Sequence, residues 1–175
     1  MWGGKILRLS DKDIFEISIG RRVLASEINP KYVIPVYSAN VFEPFGMINK
    51  SLLNDFSNDS IVWGIDGDWM VNVIPANNPF YPTDHCGVIR IKTHDILPKY
   101  FAFLLEKEGQ RAGFKRSYRA SIDRIKGLSI TSAPIEAQKE AIRKVEEYEV
   151  KIKKAQELMQ KCISRKKDII NSYLM

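Results

Sequence analysis

Cysteine is nearly absent from this 175-residue chain: Cys86 and Cys162 are its only two, and they stand far apart. A pair so placed supplies no disulfide framework, which points to a reducing compartment. No run of about 18 apolar residues is present, so no membrane-spanning helix is expected. No charged-then-apolar leader precedes a cleavage site either. The chain therefore reads as cytoplasmic. Met1-Trp2-Gly3-Gly4 is too short and glycine-rich to be structured, and reads as a natural end or a cloning remnant. Histidine is equally scarce, and His85 and His94 lack the paired spacing of zinc ligands. Asp66, Asp68 and Asp84 could in principle hold Mg²⁺. However, Arg90 stands before Ile91-Lys92 where a Glu-x-Lys nuclease arrangement needs an acid, and Asp66-Gly67-Asp68 is a turn signal in its own right. No Gly-x-Ser-x-Gly elbow supports a catalytic triad. No catalytic residue, metal ligand or cofactor is assigned to this chain.

Glycine and proline are missing altogether from one long stretch. After Pro134 the chain runs Ile-Glu-Ala-Gln and continues to Met175 with neither residue. Apolar positions recur on two interleaved heptad series, Ala141, Tyr148, Ala155, Cys162 and Ile169, and Val145, Ile152, Met159, Lys166 and Tyr173. The spacing between the series alternates four and three, the a/d pattern of a coiled-coil seam. The intervening Lys, Glu, Gln and Arg are strong helix formers suited to a solvated face, and Lys161 and Arg165-Lys166-Lys167 fit that face. A helix of this length reaches roughly 60 Å. The remaining residues could not cover it, so part of its seam should wait for another helix. A helix folded back on its own domain is the alternative, since Lys166 and the small Ala141 and Ala155 weaken the stripe. The organisation expected is a globular domain over residues 1–133 and a spacer, dimerisation and partner-docking helix over 134–175.

Within the globular part, Lys5 to Ile19 alternates loosely around a turn at Ser10–Asp13. Val33 to Ser38 is a β-rich run carrying Pro35, which suits an edge strand. Phe42 to Met47 reads as loop and Met47 to Asp59 as polar turns. Ser60 to Ile65 is the clearest strand, and Asp66-Gly67-Asp68 turns it into a hairpin with Trp69 to Ile74. Pro75 to Asp84 is loop, Gly87 to Ile91 a strand, Lys99 to Lys107 a helix, and Leu128-Ser129-Ile130 a last short strand. Short strands followed by helices predict an α+β fold: a small, twisted, mainly antiparallel sheet domain with short helices, then one long C-terminal coiled-coil helix.

The charge balance, 27 Lys+Arg against 21 Asp+Glu with pI ≈ 9.3, is compatible with nucleic acid. It is concentrated over Gly109 to Lys126, which reads as irregular. Arg111, Lys115, Arg116, Arg119, Arg124 and Lys126 fall there, with Tyr118 among them and Asp123 opposed. The segment suits either a phosphate-binding surface or a solvated loop. Arg21 and Arg22 form a second basic turn. Asn77-Asn78-Pro79-Phe80-Tyr81 approaches the Asp/Asn-Pro-Pro-aromatic loop of DNA adenine methyltransferases, but Phe80 replaces the second proline. No Gly-rich turn for S-adenosylmethionine accompanies it, so it reads as a loop with aromatic anchors.

Taken in order, these parts resemble the specificity subunits of type I restriction-modification systems and the specificity segments of fused type II enzymes. Ile19-Gly20-Arg21-Arg22 resembles the Gly-basic turn near the start of a recognition domain, and Ile34-Pro35-Val36-Tyr37-Ser38-Ala39-Asn40 a strand and loop of that domain. Ile61-Val62-Trp63-Gly64-Ile65-Asp66-Gly67 looks like its central strand and turn, although many members are basic where Asp66 stands. Pro79-Phe80-Tyr81-Pro82-Thr83-Asp84-His85 resembles the segment leading into the next strand. Leu128-Ser129-Ile130 through Ala133-Pro134-Ile135-Glu136-Ala137-Gln138 is similar to the entry into the family's long helix, with Ala133 in place of its first proline.

The resemblance implies a non-catalytic domain that reads one half of a bipartite site on double-stranded DNA, with a helix setting the distance to the other half. It implies docking to DNA methyltransferase subunits, which would bind S-adenosylmethionine, with a restriction/translocase subunit as a further partner. One domain and one helix imply a homodimer through the helix, or half of a larger subunit. Arg111, Lys115, Arg116, Arg119 and Arg124 would hold the DNA backbone, joined by Arg21, Arg22, Tyr118 and Lys126. Loops carrying Ser38, Asn40, Asp68, Trp69, Tyr81 and Thr83 would face the bases. Two other readings stand beside this one: a coiled-coil assembly protein with no DNA role, and a recognition fragment of a fused restriction-methylation enzyme whose catalytic part lay upstream of Met1.

Overall fold

A computed structural model describes residues 4–174; the Met1-Trp2-Gly3 part of the expected unstructured N-terminus lies outside them. The chain divides into two compact units, Met1–Gln138 and Lys139–Met175. In chain order the first unit contains β1 (Lys5–Arg8), β2 (Phe15–Ile19), β3 (Ile34–Tyr37), β4 (Gly46–Ile48), β5 (Ser60–Gly64), β6 (Val71–Ile74), β7 (Tyr81–Pro82), β8 (Cys86–Ile91), α1 (Pro98–Ala112), α2 (Ile122–Lys126) and β9 (Ser129–Ser132). The long α3 (Ile135–Ser172) begins at its end. The fold is α+β with mainly antiparallel sheets and a long C-terminal helix.

The principal sheet has the order β2-β8-β5-β6, antiparallel throughout. β5 is buried at every position because both of its faces are covered, and this accounts for its unbroken apolar run. Ile61 and Trp63 join Phe15 and Ile89 in a core with Phe101 and Leu105 of α1. Val62 and Val88 join a second core with Val41 and Phe80 on the other face. Gly87 lies opposite Trp63, where a Cβ would overlap the indole ring. Glycine there makes room for the largest fully buried side chain of the domain.

Four expectations are corrected. β3 is not an edge strand: it is the centre of a β4-β3-β7 sheet. Pro35 is tolerated because β7 pairs only with Val36 and Tyr37, so no amide hydrogen is needed at Pro35 on that side. Phe42 to Met47 and Pro75 to Asp84 are not all loop, since β3 pairs with β4 from Gly46 and with β7 at Tyr81 and Pro82. The basic segment is not irregular throughout. α1 continues past Lys107 to Ala112, where Gly113, at φ 78°, adopts the left-handed conformation that ends helices, and α2 occupies Ile122–Lys126. The first and last strands close on each other as the antiparallel pair β1-β9.

The first turn of α3 is fastened within the first unit by Gln138, which is only 1% exposed. Its Oε1 accepts from the Leu97 amide at 2.9 Å. Its Nε2 donates to the carbonyls of Asp95 (2.9 Å) and Ala133 (2.8 Å) and to Ser132 Oγ (3.2 Å). In the second unit no helical residue is buried, and every described residue from 146 onward is exposed. Arg143 pairs with Glu140 and Glu147, and Lys144 with Glu140. Hydrogen bonds from Arg143 and then Lys144 hold the Glu140 carboxyl at about 2.

Candidate nucleic-acid interface

The antiparallel order of the principal sheet puts the end of β2, the start of β8, the end of β5 and the start of β6 at the same end of the sheet. The segments joining these strands therefore converge. The Arg21 amide donates to the Pro82 carbonyl at 3.2 Å and the Gly20 amide to Cys86 at 3.2 Å, drawing the first basic turn onto the approach to β8. A Cβ on Gly20 would overlap the Pro82 carbonyl, so this approach requires glycine. Thr83 Oγ1 donates to Ser38 Oγ at 3.0 Å, adding the loop after β3. Gly64 packs against the Ala39 carbonyl in the same way.

The segment after α1 is drawn to this end from a distance in sequence. Trp63 Nε1 donates to the Ala120 carbonyl at 2.8 Å in the buried core, and the Ala120 amide donates to Ile65 at 3.2 Å. An ionic latch then joins three loops: the Asp66 carboxylate accepts from His85 Nδ1 and pairs with Arg119. Burial pushes the Asp66 carboxyl up, but the hydrogen bonds from Arg119 and His85 outweigh it and hold the group below its ordinary value.

A ladder of rings supports the basic segment. Trp69 packs on Phe114 with centroids 5.1 Å apart, and Phe114 stacks on Tyr118 at 5.9 Å with 24° between planes. The Arg124 guanidinium lies over the Tyr118 ring, 3.9 Å from its centroid. Arg124 Nη1 also donates to the Arg119 carbonyl at 2.7 Å.

Of the residues singled out in the sequence, Arg21, Arg22, Asn40, Asp68, Lys115, Arg116, Tyr118, Arg119 and Arg124 are exposed in these converging segments, and Ser38 is half-buried. The Asn40 Oδ1 is occupied, accepting from the amides of Phe42 (2.9 Å) and Glu43 (3.2 Å). Three residues expected to face bases are turned inward. Tyr81 and Thr83 are each 3% exposed. Tyr81 packs with Val36 and Ile48, and Thr83 pins loops together. Trp69 is half-buried, with its Nε1 donating to the Glu106 carbonyl at 2.8 Å and its ring seated on Gly109. Their part is to position the segments, because a side chain spent on packing has no edge left for a base. Arg111 sits in the last turn of α1, paired with Glu108 at 3.6 Å, and Lys126 is half-buried at the end of α2.

The sequence reading missed His85 and the latch role of Asp66. Neither carries a local spacing signal, since their partners are remote in the chain. The surface is mixed in charge. Asp66, Asp68, Asp84 and Asp123 are set against Arg21, Arg22, Lys115, Arg116, Arg119 and Arg124. Such a surface can hold phosphates while presenting both donors and acceptors to base edges.

The second unit carries a separate candidate site. Along α3, Tyr148, Ile152, Met159, Ile169 and Tyr173 are exposed on the heptad series, and Cys162 lies among them. Ala141 and Val145 are half-buried, and Ala155 and Lys166 are exposed. Ile163 and Ile170 widen the stripe beyond the strict seam.

Residues 10–161 match the family model described as the type I restriction modification DNA specificity domain. The type I restriction enzyme MpnII specificity subunit of Mycoplasma pneumoniae is 29% identical over 130 residues, covering 73% of this chain and 39% of that protein. The chain spans about half the length of several curated relatives it matches. Among solved structures, the type I restriction-modification S subunit from M. genitalium aligns with a TM-score of 0.61 at 15% identity, over 85% of this chain and 41% of that one. The HsdS subunit from Thermoanaerobacter tengcongensis gives 0.60 at 13%, over 85% and 38%. At such identities these structures support the fold.

Proposed function

Since the chain belongs to the type I restriction modification DNA specificity domain family, we propose that it reads one half of a bipartite site on double-stranded DNA and directs a partner adenine methyltransferase to it. The observation that carries this reading is the convergence of five remote segments at one end of the principal sheet, tied by Arg21–Pro82, Thr83–Ser38, Asp66–His85 and Asp66–Arg119. Only the fold makes them one surface. The exposed Arg21, Arg22, Lys115 and Arg116 hold the backbone, and Ser38, Asn40 and Asp68 present polar groups to the bases.

The chain carries no catalytic step. Methyl transfer from S-adenosylmethionine belongs to the methyltransferase, and a restriction/translocase subunit is a further partner in host defence. The complex works in the cytoplasm; among the described residues no helix is long and apolar enough to cross a membrane. Residues 134–175 serve as spacer and dimerisation helix. The exposed heptad stripe supports this, because an unpaired apolar seam of this kind is satisfied by a second helix. In a homodimer the two half-sites are identical, inverted and separated by a distance the helix sets.

Co-expression with a type I methyltransferase subunit, followed by mapping of methylated adenines, tests the reading. An interrupted palindrome is expected, and soluble protein with no new methylation would refute it. Light scattering should give twice 20.1 kDa for the chain. Replacing Ile152 and Met159 with Glu should return it to a monomer; a persistent dimer would refute the seam.

A further inference from the structure

The cations of the converging segments are not equivalent in the structure. Arg119 is tied to the Asp66 carboxylate, and Arg111 pairs with Glu108. Lys115 and Arg116 are exposed. Arg124 alone among these is held by neutral groups. Tyr118 supports the face of its guanidinium and the Arg119 carbonyl takes one Nη1 hydrogen, while no carboxylate pairs with it among the described residues. Tyr118 is in turn stacked on Phe114, which is buried against Trp69. The platform under Arg124 is thus continuous with the core.

A guanidinium carries five N–H donors in a planar fork. Here one is used, and the Nε–Nη2 edge keeps both of its donors. Holding the plane in advance removes rotamer freedom that would otherwise be lost on binding. A phosphate can take the same two-donor edge, but a phosphate contact carries no sequence information, so base selection tells the two apart. A guanine O6/N7 pair asks for two parallel donors in one plane. We propose that Arg124 is a specificity-determining residue that reads a guanine in the major groove through this edge, with Tyr118 as its positioning residue. Arg119 is a latch, and Lys115 and Arg116 supply phosphate contacts. This assignment rests on the reading of the chain as a DNA-specificity domain.

The test is selection of a randomised duplex library by the full purified chain and by its Arg124→Ala, Arg124→Lys and Tyr118→Leu variants, followed by sequencing and salt titration of the recovered duplexes. The wild-type pool is expected to hold an invariant G·C pair at one position of each half-site. In Arg124→Ala that position should relax to all four bases, with discrimination there lost by about 10- to 100-fold. Arg124→Lys, which keeps the charge and donors but loses the planar edge, should relax it in part, as should Tyr118→Leu, with the salt dependence little changed. Arg124 is exposed, so its variants are expected to melt with the wild type. Selection of the same motif by Arg124→Ala would overturn the assignment. So would uniform weakening with a salt slope reduced by about 0.9, which marks a phosphate contact. If the wild-type chain enriches no sequence at all, the DNA-specificity reading itself fails, and the assignment with it.

Discussion

Replacing Gln138 by Met removes both hydrogen-bonding ends of a buried side chain while preserving its length. Gln138 Oε1 is the acceptor for the Leu97 amide immediately before α1, and its Nε2 serves the carbonyls of Asp95 and Ala133. An amide left buried without a partner costs about 1–3 kcal/mol. The carbonyls belong to residues that are exposed (Asp95) and half-buried (Ala133), so water can recover part of their loss. Burying the Met side chain returns about 1 kcal/mol. With the residual carbonyl loss included, the net expectation is a destabilisation of about 1–2 kcal/mol. Urea unfolding followed by the fluorescence of Trp63 and Trp69, both in the first unit, measures it without interference from the rest of α3. Gln138→Glu sharpens the case. It keeps an acceptor for Leu97 but sets a carboxylate against two carbonyls, which raises the carboxyl's folded value. That variant should therefore be relatively better tolerated in acid and lose stability as pH rises to 7. A loss below about 0.5 kcal/mol for Gln138→Met would show that water replaces these bonds and that the helix entry is not anchored by them.

Asp66→Asn should release Arg119, strengthening non-specific DNA binding and steepening its salt slope by about one phosphate contact, or 0.9. An unchanged slope would refute the neutralising role of the latch. Because the Asp66 carboxyl is held below its ordinary value, its stabilisation is present above about pH 4 and lost as pH falls through the folded value. The stability difference between wild type and variant should accordingly vanish in acid melts. Gly109→Ala sets two effects against each other: a helix-propensity gain of up to about 1 kcal/mol and overlap of the new Cβ with the Trp69 ring, worth about 1–3 kcal/mol. The overlap should win, lowering the melting temperature and shifting tryptophan emission. A more stable variant would overturn that packing argument.

Much of the fold was legible along the chain because it is written in local periodicity. The heptad stripe of α3, the apolar run of β5 and the hairpin turned at Asp66-Gly67-Asp68 each depend on residues a few positions apart. So do the α+β class and the entry signal ending in Gln138. What local pattern could not convey was partnership. β3 reads as an edge strand from Pro35, and only its pairing with β7 beyond that residue shows why a proline is tolerated at the centre of a sheet. β4 is too short to announce itself, and β1 finds β9 from the opposite end of the domain. The candidate interface divides in the same way. The clustered cations were visible as composition, but their roles were set by neighbours remote in sequence: Asp66 for Arg119, Tyr118 and the Arg119 carbonyl for Arg124. Tyr81, Thr83 and Trp69 look like contact residues in the sequence and are packing residues in the fold. Periodicity records which face of an element is apolar. Which groups meet across that face is decided by chain closure and close packing, and there only the tertiary structure could assign each charge its partner.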